Sequence, residues 1–343
     1  MKKVLFATSA LVLSAGFASA EVALSGDGRM GMIYDGNDVQ FSSRARVKFT
    51  LTGESDAGLS FGAAFRVDQE NYNGNEYRSA ARGSAGAIWI SGTYGKLSMG
   101  DVVSAAEQAI GDLYEVGYTD GSFAGDVEEI AYLTADGVNI NQGPNILYEY
   151  TINNISLYAS ASDGSDTDWF TTVGDDVDDE LDAESDQVAW SLAGKYEAET
   201  WWVGLAYSKH DEAKEIVLGA EAKFNQFSVK GIYADYKNRG NIDIGGSNWS
   251  DEVAELNNAA NGYEMDKTLG LSAAYQLDAV LIEGFRRRDE FKTDVAAVED
   301  KDFDSFGIGA EYDLGGGAVL AGGIVDTDYL NDTVVDAGIK FKF

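Results

Sequence analysis

Apolar and polar residues alternate along much of this chain. From Phe41 to Leu51 the odd positions are mostly apolar, and the even positions carry polar or charged side chains. Leu59–Val67 repeats this pattern, and Val22–Met32 shows it in a weaker form. A period of two places alternate side chains on the two faces of a β-strand. Runs this long exceed an ordinary globular strand, and they match the roughly 9–11 residues that a tilted strand needs to cross a membrane.

Short and longer connections alternate between the predicted strands. The short ones are Gly53–Gly58, Gly92–Gly95, Asn153–Asn154, Glu197–Thr200, Asn225–Gln226, Asp278–Ala279 and Gly315–Gly317. The longer ones are Asp35–Val39, Gln69–Arg82, Asp101–Gly143, Asp163–Asp186, Lys209–Ala213, Lys237–Glu264, Glu290–Lys301 and Asp326–Asp332. Seven short and eight longer connections separate sixteen strands.

This arrangement predicts an all-β fold, namely a 16-stranded antiparallel transmembrane β-barrel. An even strand number, with short periplasmic turns and long outer loops, is typical of outer-membrane barrels. Lipid does not tolerate an open sheet edge, and closure into a barrel removes both edges.

The first residues form a targeting segment. Lys2 and Lys3 precede the apolar run Val4–Phe17, and Ala18-Ser19-Ala20 fits a cleavage site. We therefore expect residues 1–20 to be a signal peptide and residues 21–343 to be the barrel. No later stretch approaches the roughly 18 apolar residues of a spanning helix. The expected location is the outer membrane of a Gram-negative bacterium.

Composition excludes several classes of function. The chain has 343 residues with 25 Lys+Arg against 58 Asp+Glu, a net charge of −33. Nucleic acid is not an expected partner, because phosphate binding needs a basic face. With no Cys and only His210, thiolate chemistry and two-histidine metal sites are also excluded. We expect no required cofactor and no enzyme activity.

The predicted strand number implies a water-filled interior, because barrels of 16–18 strands leave an aqueous channel. The expected function is passive passage of ions and small hydrophilic solutes. Three alternatives stay open: a substrate-specific channel, a barrel enzyme and a non-conducting structural barrel. The first would need an aromatic track or a basic ladder, and the second would need a nucleophile or acid paired with histidine at the rim.

The connection 101–143 is the candidate constriction. It is long, and it carries apolar residues that give it material to pack, so we expect it to fold into the lumen. Its candidate acidic residues are Glu107, Asp112, Glu115, Asp126, Glu128 and Glu129. The candidate basic residues on the facing strands are Arg29, Arg44, Arg46 and Arg66. Opposed acidic and basic walls would set a transverse field, and the acidic excess predicts cation selectivity.

Several stretches resemble the general diffusion porins of alphaproteobacteria, of the Rhodobacter and Paracoccus type. They are EVALSGDGRMGM (Glu21–Met32), FSSRAR (Phe41–Arg46), GLSFGAAFR (Gly58–Arg66), YGKLSMGD (Tyr94–Asp101), GDLYEVGYTD (Gly111–Asp120), YDLGGGAVLAGG (Tyr312–Gly323) and VDAGIKFKF (Val335–Phe343). The resemblance covers both ends of the chain more strongly than the middle.

The resemblance implies a homotrimer of barrels whose third loop forms the constriction. It also implies that Arg29, Arg44, Arg46 and Arg66 face acidic loop residues, of which Glu107, Asp112 and Glu115 match best. The terminal Phe341 and Phe343 are similar to the signal that the barrel assembly machinery reads. Outer-membrane lipid and lipopolysaccharide are implied partners, and calcium is an implied ligand of acidic loop residues.

Two charged runs are less specific. Asp175–Asp186 is the densest acidic stretch and is typical of a solvated outer loop, although divalent ions are an alternative. Arg286-Arg287-Arg288 cannot all face inward, because neighbouring side chains on a strand alternate. We expect part of the triplet near the rim, at lipopolysaccharide headgroups or a subunit contact.

Overall fold

The structure is a computed structural model, and it describes residues 21–72, 76–77, 86–134, 145–162, 188–240 and 249–343. The expected signal peptide and the acidic run Asp175–Asp186 lie outside the described residues. The same is true of the last part of the connection 101–143, from residue 135 onward.

Sixteen barrel strands occur in the described chain, as predicted. The first eight are β1 (Glu21–Tyr34), β2 (Val39–Glu54), β3 (Ser60–Tyr72), β4 (Ala87–Gly92), β5 (Gly95–Gly100), β6 (Asn145–Ile152), β7 (Ile155–Ser162) and β8 (Ala189–Glu197). The others are β9 (Trp201–His210), β10 (Ala213–Phe224), β11 (Phe227–Gly240), β12 (Tyr263–Leu277), β13 (Val280–Thr293), β14 (Lys301–Gly315), β15 (Ala318–Thr327) and β16 (Val334–Lys342). Glu76–Tyr77 adds a two-residue ladder to β3.

Each barrel strand pairs antiparallel with its neighbours, and the last strand closes on the first. Met30 of β1 lies opposite Ile339 of β16 and, on its other side, opposite Ser43 of β2. Closure leaves no edge strand, which is the condition for a sheet in lipid. The prediction of a closed 16-stranded barrel is confirmed.

Tight two-residue β-hairpin turns connect β6 with β7, β10 with β11 and β12 with β13. Asn153, Asn225 and Asp278 take φ values of +52°, +56° and +48° at the turns of β6–β7, β10–β11 and β12–β13. Asn and Asp tolerate this left-handed conformation, which matches the twist of a hairpin. One predicted longer loop, Lys209–Ala213, is also a two-residue turn, because His210 pairs with Ala213 and Asp211 takes a φ of +50°.

The two faces of the barrel differ in chemistry. Large apolar side chains point outward and are exposed in the isolated chain, among them Phe41 at 83% and Leu24 at 63%. Aromatic pairs lie toward both ends of the outer face, with Tyr196 5.4 Å from Trp201 and Trp190 5.5 Å from Tyr207 between ring centroids. An apolar band flanked by aromatic side chains is the exterior of a transmembrane barrel.

The described chain contains few helices. α1 spans Ala105–Ile110, α2 spans Asp251–Leu256, and single 3-10 turns occur at Ser122–Ala124 and Ala259–Asn261. Across the described ranges, no helix has the length and apolar character to span a bilayer.

The buried core lies inside the barrel, where the segment 101–134 packs against the wall. Leu113 approaches Gly270 so closely that a Cβ at this glycine would lie 2.8 Å from a leucine methyl carbon. Gly219 similarly leaves room for Ile110, and Trp202 packs beside it. Small residues on the inner wall therefore seat the large side chains of the loop, and the predicted inward fold of the third loop is confirmed.

Candidate functional site

The internal segment begins with a capped helix attached to one wall. The Ser104 hydroxyl accepts a hydrogen bond from the Glu107 amide at 3.2 Å, which satisfies an open donor of α1. Two further backbone amides at this helix end bind the barrel. The Ala105 amide donates to Ser160 Oγ at 2.8 Å, and the Ala106 amide donates to Ser191 Oγ at 3.1 Å. The helix N-terminus is thereby fixed to β7 and β8.

A single carboxylate on β16 holds the middle of the segment. Asp336 accepts hydrogen bonds from the amides of Tyr118 at 3.2 Å and Thr119 at 2.9 Å, and from the Thr119 hydroxyl at 2.7 Å. It also accepts from the Gly323 amide of β15 at 2.9 Å. Only 2% of the residue is exposed. Hydrogen bonds to a buried carboxylate are strong, so Asp336 is the main anchor on this side of the barrel.

Cationic side chains from the wall hold the later part of the segment. Arg287 donates to the carbonyl oxygens of Val127 at 3.1 Å and of Glu129. Two further cations do the same, as Arg239 donates to the Ala131 carbonyl and Lys230 to that of Asp112. These side chains satisfy loop carbonyls that no strand partner reaches.

The buried carboxylate of Asp289 pairs with Arg287. The Arg287 Nε lies 2.9 Å from Asp289 Oδ2, and Asp289 also accepts from the hydroxyls of Thr268 at 2.5 Å and Tyr329 at 2.8 Å. Asp289 is fully buried. The arginine triplet thus divides as its parity requires, because Arg287 faces inward whereas Arg286 and Arg288 face outward toward Asp304.

The predicted basic residues lie on the inner wall, but their surroundings differ. Arg29 is only 6% exposed, and it donates to the Thr119 carbonyl at 2.5 Å and to Ser122 Oγ at 3.2 Å. It therefore supports the loop directly. Arg44 is more accessible, and its Nη2 lies 3.7 Å from Asp27 Oδ1.

The other two predicted basic residues pair with carboxylates on the strands. Arg46 Nη2 lies 2.9 Å from Asp27 Oδ1, and its Nε donates to the same carboxylate. Arg66 Nε lies 2.7 Å from Asp68 Oδ1. These pairs remain in the lumen, where water and salt screen them. The wall is consequently a mixed charge array and not an unbroken basic strip.

Asp120 is the loop acid that meets the basic wall, and it was not among the predicted acids. Its carboxylate lies 2.8 Å from Lys340 Nζ, 3.8 Å from Arg29 Nη1 and 4.0 Å from Arg44 Nη2. Lys340 also binds Glu311. Strand alternation could have identified Lys340 as an inward residue. It lies on the same strand as Asp336 and, at an even separation, on the same face.

Two predicted acidic residues do not present a free carboxylate to the lumen. Glu128 is fully buried, so its assignment to the pore surface was wrong; the loop folds over it, close to Gly121. Asp112 accepts a hydrogen bond from the Ile130 amide at 2.7 Å, which closes the loop upon itself. Glu107 is half-buried in α1.

The remaining predicted acids lie at the loop surface. Glu115 and Glu129 are exposed, and Asp126 is half-buried. The enclosing barrel excludes part of the bulk water around Glu115, and repulsion from Asp120 and Asp112 adds to this, which raises the pKa of Glu115 to about 7. Burial, with repulsion from nearby carboxylates, raises the pKa of Glu128 to about 9. Glu128 is thus neutral at pH 7, whereas Glu115 titrates there.

The described ranges contain no group of three or more acidic or histidine side chains placed to hold a metal ion. The chain ends on the closing seam of the barrel. The Phe343 amide donates to the Gly26 carbonyl at 2.8 Å, and the rings of Phe341 and Phe343 stack at 6.3 Å. Their role as an assembly signal stays a prediction.

A closed barrel with a polar interior, an apolar exterior and a loop fixed across its lumen defines a channel-forming membrane protein. The sequence model of the family described as Gram-negative porin matches residues 7–332. The chain belongs to this family, and it is a porin and not an enzyme.

Individual relatives agree with this family. A porin of Rhodobacter capsulatus is 38% identical over 333 residues, which cover 94% of this chain and 100% of that protein. A porin of Fuscovulum blasticum is 28% identical, with 94% and 100% covered. A solved porin structure refined at 1.8 Å is 36% identical, with a TM-score of 0.72 and coverage of 94% and 100%. The resemblance to Rhodobacter porins is confirmed.

Proposed function

We propose that this protein is a general diffusion porin of the outer membrane, which forms a water-filled channel for passive passage of ions and small hydrophilic solutes. The observation that carries the proposal is the loop across the lumen, attached to opposite walls through Ser160 and Ser191 on one side and Asp336 on the other. A loop fixed in this way narrows the channel and leaves an open path beside it.

We place the constriction between the basic wall and the exposed face of the loop. On the wall side the proposal includes the predicted Arg29, Arg44, Arg46 and Arg66, together with Lys340. On the loop side it includes Glu115, Asp120, Asp126 and Glu129, and it does not include Glu107 or Asp112, whose carboxylate accepts a hydrogen bond within the loop. Charges of opposite sign on facing walls orient dipolar solutes and order water.

We also propose cation selectivity. The whole chain carries 58 acidic against 25 basic residues, and wall cations are paired with carboxylates, as Arg46 is with Asp27 and Arg287 with Asp289. Exposed carboxylates in a narrow water-filled passage concentrate cations. The charge balance of the narrowest part is therefore expected to favour cations.

The first test is single-channel conductance of the purified protein in a planar bilayer under a salt gradient. We expect large steps in groups of three, because the proposed assembly is a homotrimer, and a reversal potential that favours cations. Folded barrels that give no steps would contradict the pore, and a reversal potential that favours anions would contradict the selectivity. Block by one solute alone would instead favour the alternative of a substrate-specific channel.

Selectivity should depend on pH through Glu115. Because the pKa of Glu115 is raised to about 7, the loop loses a negative charge as the pH falls through 7, and cation selectivity decreases. One charge about 5 Å from the ion path is worth under about 1 kcal/mol in water, which is an about two- to fourfold change in permeability ratio. Glu115→Gln should lower the cation/anion ratio at pH 8 and flatten its pH dependence. Reversal potentials from pH 5 to 8 provide the measurement.

Glu128→Gln is the matched control for this prediction. Its pKa of about 9 means that Glu128 stays mostly protonated from pH 5 to 8, so the substitution should leave the ratio nearly unchanged. An equal effect of both substitutions would show that loop structure, and not the Glu115 charge, sets the ratio.

The remaining partners are part of the same proposal. They are outer-membrane lipid and lipopolysaccharide, the barrel assembly machinery that would read Phe341 and Phe343, and calcium at acidic loop residues. No required cofactor is proposed.

A further inference from the structure

Three lysines form a row on the outer face of three adjacent strands. Lys209 of β9 lies directly opposite Lys214 of β10, and Lys214 lies opposite Lys237 of β11. The residues beside them, Ser208, Glu215 and Tyr236, are buried on the inner face, so strand alternation places the lysines outside. We call Lys209, Lys214 and Lys237 the lysine row.

The lysine row has no acidic partner among the described residues. Each lysine lies opposite another cation, and like charges opposite one another in a ladder are destabilising. Asp235 is the nearest outward acid on β11, but it lies in register with Lys267 and accepts a hydrogen bond from the Tyr233 hydroxyl at 3.3 Å. In a chain of net charge −33, three adjacent unpaired cations call for a ligand outside the chain.

The height of the row points to that ligand. On β9, Trp201 lies beside a tight turn at one end, and Lys209 follows Tyr207 near the other end. Eight residues span about 26 Å along the strand, which a tilt of about 35–45° reduces to a height of about 18–21 Å, so Lys209 lies toward the border of the roughly 25 Å apolar band. Tyr207 packs on Trp190, and rings of this kind lie at the membrane–water interface. The row therefore lies at the border of the apolar band, from where the long lysine side chains reach the lipid headgroups.

A second group of outward basic residues, Arg286 and Arg288, is paired with carboxylates of the chain itself. Arg288 Nη2 lies 2.7 Å from Asp304 Oδ2 and its Nη1 lies 3.8 Å from Asp302, while Arg286 lies 3.5 Å from Asp304. Here the chain supplies its own anions. The lysine row has no such carboxylates within ion-pair distance among the described residues.

We propose that the lysine row binds the phosphate groups of lipopolysaccharide in the outer leaflet. The inference rests on the proposed outer-membrane location, which makes the end with Lys209 the cell-surface end. Neighbouring strands are about 4.8 Å apart, so the three Cα atoms lie within about 10 Å and flexible ammonium groups can converge on one phosphate. The apolar surface below, including Leu205 and Ile216, would contact the acyl chains.

The test is calorimetric titration of the purified protein in detergent with bisphosphorylated lipid A, dephosphorylated lipid A, phosphatidylglycerol and inorganic phosphate. The Lys209→Gln/Lys214→Gln/Lys237→Gln variant should bind bisphosphorylated lipid A at least about tenfold more weakly, since each surface cation contributes to anionic lipid binding. The corresponding triple Arg variant should retain the affinity.

The control is Lys96→Gln/Lys195→Gln/Lys223→Gln, which removes the same charge from the inner face and should not change lipid A binding. Unchanged binding by the outer triple variant would overturn the proposal, as would equal binding of dephosphorylated lipid A. Equal affinity for phosphatidylglycerol would overturn the assignment to lipopolysaccharide, and a site filled by inorganic phosphate alone would overturn lipid binding. Conductance of the outer triple variant separates this result from the channel function, because it should remain that of the native protein.

Discussion

Asp336→Ala is expected to release the loop from the wall of the barrel. The substitution removes an acceptor of hydrogen bonds from Tyr118, Thr119 and Gly323, and it leaves their amides buried without a partner. Bonds to a charged group are worth about 1.5–3 kcal/mol each but are not additive, so we expect local opening to become easier by about 3–4 kcal/mol. Proteolysis within the loop should accelerate by about 10²–10³-fold, with noisier single-channel current.

Asp326→Ala is the matched control for Asp336→Ala. Asp326 lies on the neighbouring strand β15 and is exposed, and it binds Thr333 and no loop residue within the described range 101–134. It removes the same charge, so the native cleavage pattern and quiet current should persist. Loop cleavage that is equally slow in both variants would contradict the anchoring role of Asp336.

The second large effect is expected for Arg287→Met. Without Arg287, the carboxylate of Asp289 stays buried with no cation, and two loop carbonyls lose their donor. Breaking a buried ion pair from one side costs about 3–5 kcal/mol. We therefore expect a loss of this size in the free energy of unfolding, measured by urea unfolding of barrels in lipid vesicles with tryptophan fluorescence.

Two further variants identify the cause of this loss. Arg288→Met changes the adjacent residue, which is exposed and pairs with the half-exposed Asp304, so stability should change little. Arg287→Met/Asp289→Asn removes both buried charges and should recover part of the loss. If the double variant is as unstable as the single one, the lost loop contacts and not the unpaired carboxylate account for the effect.

Local sequence patterns were sufficient for the barrel and its faces. Alternation assigned Arg29, Arg44 and Arg46 to the interior and Val47 to the exterior, and the structure agrees. Turn residues located Asn153 and Asn225. The turn after Lys209 is tighter than the predicted connection Lys209–Ala213, because Asp211 adopts the left-handed conformation that a two-residue turn needs.

The loop was harder to predict at the level of residues. Glu128 and Glu115 are both glutamates in one loop, yet one is buried and the other exposed. No periodicity distinguishes them, since the segment 101–134 contains only short helical pieces. Asp120 was missed for the same reason, because its meeting with Lys340 joins residues that are far apart in the chain.

The sequence by itself determined the strand number, the closed barrel, the inner and outer faces and the excess of negative charge. These properties depend on neighbours in the chain: the period of two, the turn residues and the composition. Only the tertiary structure decided which charges meet. It brought Asp336 to Thr119 and Arg287 to Val127, and it left the lysine row unpaired, because such contacts depend on the register of strands and on the path of one loop through the lumen.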